Sequence, residues 1–230
     1  MKMSAHSPGL VAASLRLAGA LAACTFTLAA QADEVWRLDN LKNIAGHEVT
    51  VLGAPRVEAS AKDGAAMVFD GVRDGIFLPT IPITGAKQFT IEVLFRPAEG
   101  GPEAQRFVHW QDKNDWRGLI ELRLNGKGGW WLDTFLFTGE GKGTALIDPA
   151  RVHPTDSWHW AALRYDGKTM AHFVDGEKEM ESAATFVPFG PGQISLGVRQ
   201  NKVFWFKGAI REVRFHTEAL APEKLQRVKP

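Results

Sequence analysis

The sequence predicts an all-β fold, a jelly-roll sandwich of antiparallel sheets. Three observations lead there. Short runs in which apolar and polar residues alternate recur after Asp33. Tight-turn signals separate them at intervals of roughly 8–15 residues. No segment beyond Asp33 keeps apolar residues at i, i+3, i+4 and i+7 for three turns, as a long amphipathic helix would.

Taken in order, Phe89 to Phe95 sets Ile91, Val93 and Phe95 on one side. Leu119 to Leu124 sets Ile120, Leu122 and Leu124 against Glu121 and Arg123. Further runs are Trp130 to Phe137, Trp158 to Tyr165, Met170 to Val174, Ile194 to Val198 and Ile210 to Phe215. A period of two buries one face of a strand. Between the runs stand Asp70-Gly71, Asn125-Gly126, Asp166-Gly167, Asp175-Gly176 and Pro191-Gly192. Asx-Gly pairs supply the positive φ of tight hairpins. The sole helical signal is a last turn around Pro222 to Leu225. No composition shift or linker follows Asp33, so residues 33–230 form a single domain.

Composition narrows the function. The net charge of +1 provides no field for nucleic acid, so no nucleic-acid partner is expected. A single cysteine excludes a disulfide scaffold. Lys2 and Arg16 precede an apolar stretch that ends in Ala30-Gln31-Ala32. A basic head, an apolar run and an A-x-A site make residues 1–32 a secretory signal peptide, removed on export to the periplasm or medium. Leu17 to Ala30 spans 14 residues, short of the roughly 20 of a transmembrane span. Leu21-Ala22-Ala23-Cys24 also fits a lipoprotein cleavage site, the minor alternative.

Four motifs carry a family resemblance. Phe69 to Gly75 and Phe89 to Pro97 resemble the opening strands of laminin-G-like domains. Trp158 to Gly167 resembles their "WHHVAVTYDG" strand and turn, and Phe173-Val174-Asp175-Gly176 resembles "YVDG". Phe206 to Phe215, followed by Ala219-Leu220, resembles the closing strand with its "IDEVR" core. The resemblance, to the concanavalin A-like lectin/glucanase group in its laminin-G or pentraxin form, implies two curved antiparallel sheets. It leaves the activity open, because that fold hosts lectins, adhesion modules, hydrolases and lyases. It also implies a calcium ion near the rim in many relatives. Here Arg211 takes the acidic position, and a guanidinium repels a hard cation. No cofactor is therefore expected, and Arg211 is expected to pair with Asp70 or Asp74.

Within the strand of Trp158, the resemblance turns His159, Ala161, Leu163 and Tyr165 to the core, and Trp160 and Arg164 away. His172 shares a face with Met170 and Val174 and is expected to be a hydrogen-bonded core histidine.

Catalytic patterns are missing. Retaining glucanases of this group use an E-x-D-x-x-E strand, but Arg123 follows Glu121 at the alternate position. Lyases of the fold use an Arg/Glu/Arg strand, a Gln-x-His and a C-terminal tyrosine. Glu121, Arg123 and His109 imitate parts of that set, yet Val203-Phe204-Trp205-Phe206 replaces the tyrosine. Neither a nucleophile elbow nor a phosphate-binding loop is present.

Tryptophan is the unusual component, with eight residues against one tyrosine. Trp130 and Trp131 are adjacent, so one of them faces away from the core. Trp205, between Phe204 and Phe206, reads as a strand with aromatics on both faces. Sugars stack their C–H faces on such rings while polar side chains meet the hydroxyls. The candidate ligand-binding set is His109, Trp110, Asp112, Trp116, Arg117, Glu121, Arg123, Trp131, Asp133 and Trp160. The expectation is an exported non-catalytic module that binds a glycan or cell-surface ligand. The alternatives are a hydrolase or lyase with a non-standard site, in which His109, Glu121, Arg123 and Asp133 act, and a protein-adhesion module with a flat aromatic patch.

Overall fold

The computed structural model describes residues 32–61 and 64–228, together with Met1. The expected signal peptide and Cys24 lie, except for Met1 and Ala32, outside the described residues. Among those described, no helix is long and apolar enough to cross a membrane.

Two eight-stranded sheets make up the structure, and every strand pairing in them is antiparallel. The first runs β16 (Glu177–Ala183), β15 (Thr169–Val174), β14 (His159–Tyr165), β8 (Phe89–Pro97), β18 (Lys207–His216), β6 (Gly64–Asp70) and β5 (Arg56–Ser60), with β1 (Glu34–Arg37) also on β18. The second runs β12 (Thr144–Ile147), β11 (Gly129–Phe137), β10 (Arg117–Leu124), β9 (Ala104–Asp112), β17 (Gly192–Leu196), β7 (Gly75–Leu78) and β4 (Thr50–Leu52), with β13 (His153–Pro154) on β11. A small hairpin pairs β2 (Asn43–Ile44) with β3 (His47–Glu48).

Alternation puts the core between the sheets. Phe89, Ile91, Val93 and Phe95 of β8 are fully buried. They meet Trp110, Ile120, Leu122, Trp130 and Leu132 of the second sheet in one cluster, where Phe95 stacks on Phe107 at 4.4 Å. Tyr165 joins the cluster and donates its hydroxyl to the Ala184 carbonyl at 3.3 Å. His172 is buried as expected, with Nδ1 3.0 Å from the Thr134 hydroxyl of the opposite sheet. Asp175 (φ 48°) and Gly176 (φ 77°) both adopt the left-handed region, as a two-residue hairpin between β15 and β16 requires.

The C-terminal segment covers part of the first sheet's outer face. A single 3-10 turn at Pro222–Lys224 places Leu220 and Leu225 on Ala162, Ala171 and Phe173. Beneath it, Glu92 accepts the Gln226 N–H at 2.7 Å and faces His216 Nε2 at 3.0 Å. The cover reaches β14 and β15, whereas β5, β6, β8 and β18 of the same sheet line an open cleft of about 570 Å³ with Arg56, Glu58, Arg96 and Lys207.

Two expectations are corrected. Residues 203–206 form a loop, not a strand, with Phe204 exposed at φ 61°. Arg211 pairs with neither aspartate. Asp70 Oδ1 accepts the backbone N–H groups of Val72, Arg73 and Asp74, while Asp74 Oδ1 accepts that of Ala54. Both carboxylates hold turns in place, and the Arg211 guanidinium lies beside Gly64.

Candidate functional site

Register alone assembles the outer face of the second sheet. On β10, Arg117, Leu119, Glu121 and Arg123 point away from the core residues Ile120, Leu122 and Leu124. Across β11, their partners are Phe137, Phe135, Asp133 and Trp131 in that order. Across β9, Gln111 lies opposite Arg117, His109 opposite Leu119 and Arg106 opposite Glu121. The last pairing depends on a bulge between Ile120 and Glu121. It leaves Phe107 and Val108 both in the core and turns Arg106 outward.

These residues surround a depression of about 240 Å³, lined by Arg106, Arg117, Glu121, Arg123, Asp133 and Arg199 with Leu119, Phe135 and Ala145. Its floor is an ionic lattice. Arg106 Nε stands 2.8 Å from Glu121 Oε2, and Arg123 Nη2 stands 2.8 Å from Asp133 Oδ2, to which Arg123 Nε also donates at 2.9 Å. Both acids are about 95% buried. Burial, aided by the Asp133 charge, pushes Glu121 up to about 7 despite its arginine neighbours. Dehydration therefore outweighs the ion pair at this carboxylate. Burial also raises Asp133, which Arg123 partly offsets, and lowers Arg106.

Aromatic rings support the cations. Phe204 lies 3.5 Å from the Arg106 guanidinium carbon, while Phe135 and Phe137 lie 5.4 and 5.0 Å from that of Arg117. His109 is buried, and burial together with Arg199, Arg117 and Arg106 lowers it to about 3. Its Nδ1 accepts the Gln200 N–H at 3.0 Å, so the neutral ring carries its proton on Nε2.

A second cleft of about 520 Å³ adjoins the depression, lined by Gln111, Asp112, Lys113, Gln193 and Gln200 with Pro79, Pro191 and Gly192. Asp112 is fixed by its turn. Its Oδ1 accepts the N–H groups of Asn114 and Trp116, and its Oδ2 accepts that of Gly190.

Of the sequence-derived set, Arg117, Glu121, Arg123, Trp131 and Asp133 share this outer face, with His109 in the same phase. Trp116 is half-buried against the core from the β9–β10 turn. Trp110 leaves the set. It is fully buried, and its indole lies over Gly118, where a Cβ would come within 2.0 Å of Cζ2. Trp160 leaves it as well, because it belongs to the first sheet and lies 93% buried beneath Arg214. Arg106, Phe135, Arg199 and Phe204 were not anticipated. For Phe135 the signal was present, since it follows Asp133 at the alternate position. Arg106 is displaced by the bulge, and Arg199 and Phe204 come from loops without periodicity.

Comparison with known proteins fits this architecture. No curated protein matches the chain. Domain 4 of AbnA, an extracellular GH43 arabinanase from Geobacillus stearothermophilus solved with arabinotriose, superposes with a TM-score of 0.55 at 18% identity. The match covers 85% of this chain and 97% of that one. The ligand-binding domain of botulinum neurotoxin serotype D, solved with N-acetylneuraminic acid, gives a TM-score of 0.61 at 13% identity and 84% coverage of this chain. The match covers 49% of the toxin domain, so this chain corresponds to about half of it. A laminin G family model, described as the concanavalin A-like lectin/glucanases superfamily, matches residues 70–226. With both sheets and that match in place, the chain belongs to the concanavalin A-like lectin/glucanases superfamily.

Proposed function

We propose that this chain is an exported, non-catalytic carbohydrate-binding module whose ligand lies across the outer face of the second sheet. The observation that carries the reading is the polar floor of that face. Its two carboxylates are nearly dehydrated beside open space. Arg106 Nη1, His109 Nε2 and Trp131 Nε1 are buried and make no hydrogen bond among the described residues. Each such donor costs about 1–3 kcal/mol when left unmet. Sugar hydroxyls and ring oxygens are acceptors of suitable size, and Trp131 offers an apolar ring beside Arg123. The sugars seen with two structural neighbours, arabinotriose and N-acetylneuraminic acid, support the same class of ligand. Export is supported by the basic, apolar and Ala-x-Ala pattern of residues 1–32. N-terminal sequencing of exported protein tests it, with Asp33 expected first.

Retention on a broad glycan panel tests binding. Wild type is expected to be retained by some glycans, Trp131→Ala to lose retention, and Trp158→Ala to keep it. No retention of wild type by any glycan would sink the reading.

One observation favours a second reading, a hydrolase or lyase. Glu121, at about 7, lies directly opposite Asp133 in register and could exchange protons near neutrality. Time-resolved product analysis separates the two readings. Turnover abolished by Glu121→Gln would establish catalysis, and intact polysaccharide after long incubation would exclude it for the substrates tried.

A further inference from the structure

Four arginines and two carboxylates line the 240 Å³ depression. Arg106 is committed to Glu121, and Arg123 to Asp133. Arg117 and Arg199 have no carboxylate partner within ion-pair distance among the described residues. Arg117 Nη1 donates to the backbone carbonyl of Asp115 at 3.3 Å, and the Asp115 carboxylate, which accepts from Gln111 Nε2 at 2.8 Å, acts on Arg117 from beyond ion-pair distance. Arg199 lines the same depression from the loop that follows β17, and its charge acts on Arg106, His109, Arg117 and Glu121. Phe135 and Phe137 support the Arg117 guanidinium from below, favouring a fixed plane over free rotation into solvent. Buried His109 offers no compensating negative charge, and its Nε2–H is a further unmatched donor.

A pair of guanidinium groups in one depression, neither in ion-pair contact with a carboxylate among the described residues, is suited to an anion with two or three oxygens. We propose that this depression takes the anionic group, carboxylate or sulfate, of an acidic sugar residue, with Arg117 and Arg199 as its clamp. The inference rests on the glycan-binding reading and adds the charge of the ligand. The adjoining cleft serves the next residue of the saccharide. Gln111, Gln193 and Gln200 line it; Gln111 Nε2 donates to Asp115 and Gln193 Nε2 to Gln200 Oε1, which leaves the Gln111 and Gln193 amide oxygens to accept from neutral hydroxyls. The two subsites are neighbours, since Gln200 follows Arg199 in the chain and Gln111 lies opposite Arg117 in register.

The test is an array of acidic saccharides, each printed beside its neutralised form, followed by calorimetry on the full chain. Oligogalacturonide is paired with its methyl ester, and a sulfated galactan with its desulfated form. The acidic form is expected to bind at least tenfold more tightly than its neutral counterpart, with affinity falling as salt rises. Arg199→Gln and Arg117→Gln are each expected to weaken it about tenfold or more while melting like wild type. The two pairs distinguish carboxylate from sulfate. Equal affinity for acidic and neutral forms, or unchanged affinity in both variants, overturns the charge assignment and leaves the glycan reading standing. No binding to any saccharide, acidic or neutral, overturns both.

Discussion

Replacing Glu121 with glutamine should change how stability depends on pH by an amount the structure sets. Burial raises this carboxyl from its ordinary 4.5 to about 7. Below pH 4.5 the folded and unfolded chains both hold the proton, and the group contributes fully. Above it the unfolded chain ionises first, so stability falls until the pH passes about 7. The interval corresponds to about 3 kcal/mol. The side chain is only 5% exposed, so solvent screening removes little of it. Asp133 is raised too and adds a fall of the same sign. His109 and His172, lowered to about 3 and about 4, act oppositely, since stability falls as the pH drops below their ordinary 6.5. Both histidines remain in Glu121→Gln, so subtraction removes them. Glutamine stands in for the neutral carboxyl that wild type holds below about pH 7, and any difference in packing adds an offset that does not vary with pH. The informative quantity is therefore the difference between the two proteins. Urea unfolding followed by tryptophan fluorescence at five values between pH 4 and 8 measures it. The advantage of wild type should shrink by about 3 kcal/mol from the acid end to the alkaline end. A difference that stays constant with pH would refute the claim that dehydration dominates at Glu121.

Three further substitutions test the placement of aromatic residues. Trp130 is fully buried and donates to the Pro154 carbonyl at 3.1 Å, so Trp130→Ala should cost about 3–5 kcal/mol in urea unfolding. Trp131, half-buried on the opposite face, should cost about 1 kcal/mol in the same measurement, well below the fully buried range. Gly118→Ala should lower stability by about 1–3 kcal/mol, because its Cβ would meet the Trp110 indole, and adding Trp110→Leu should recover part of the loss.

Where alternation is regular, the sequence is a sufficient guide. Glu121 and Arg123 face outward on β10 because Ile120, Leu122 and Leu124 must face inward, and Trp130 and Trp131 divide between core and surface for the same reason. His109 and Trp110 are neighbours on one strand, so they cannot both meet a ligand. Grouping them by composition obscured that constraint. Alternation turns Trp160 away from the core, but phase does not say which sheet a strand joins. That is decided by long-range pairing of β14 with β8. Arg106 escaped for a different reason, since one extra residue at the bulge reverses the face of everything before it. Phe204 reaches Arg106 from a loop with a positive φ, which no periodicity encodes.

The most direct measurement is a spectrum of the indole N–H groups, recorded with and without a glycan that the protein retains. Trp131, whose Nε1 makes no hydrogen bond among the described residues, should move on addition of the sugar. Trp36, Trp110 and Trp130 in the core, and Trp158 and Trp160 on the first sheet's side, should stay in place. Shifts confined to Trp158 and Trp160 would contradict the account by placing the ligand on the other sheet.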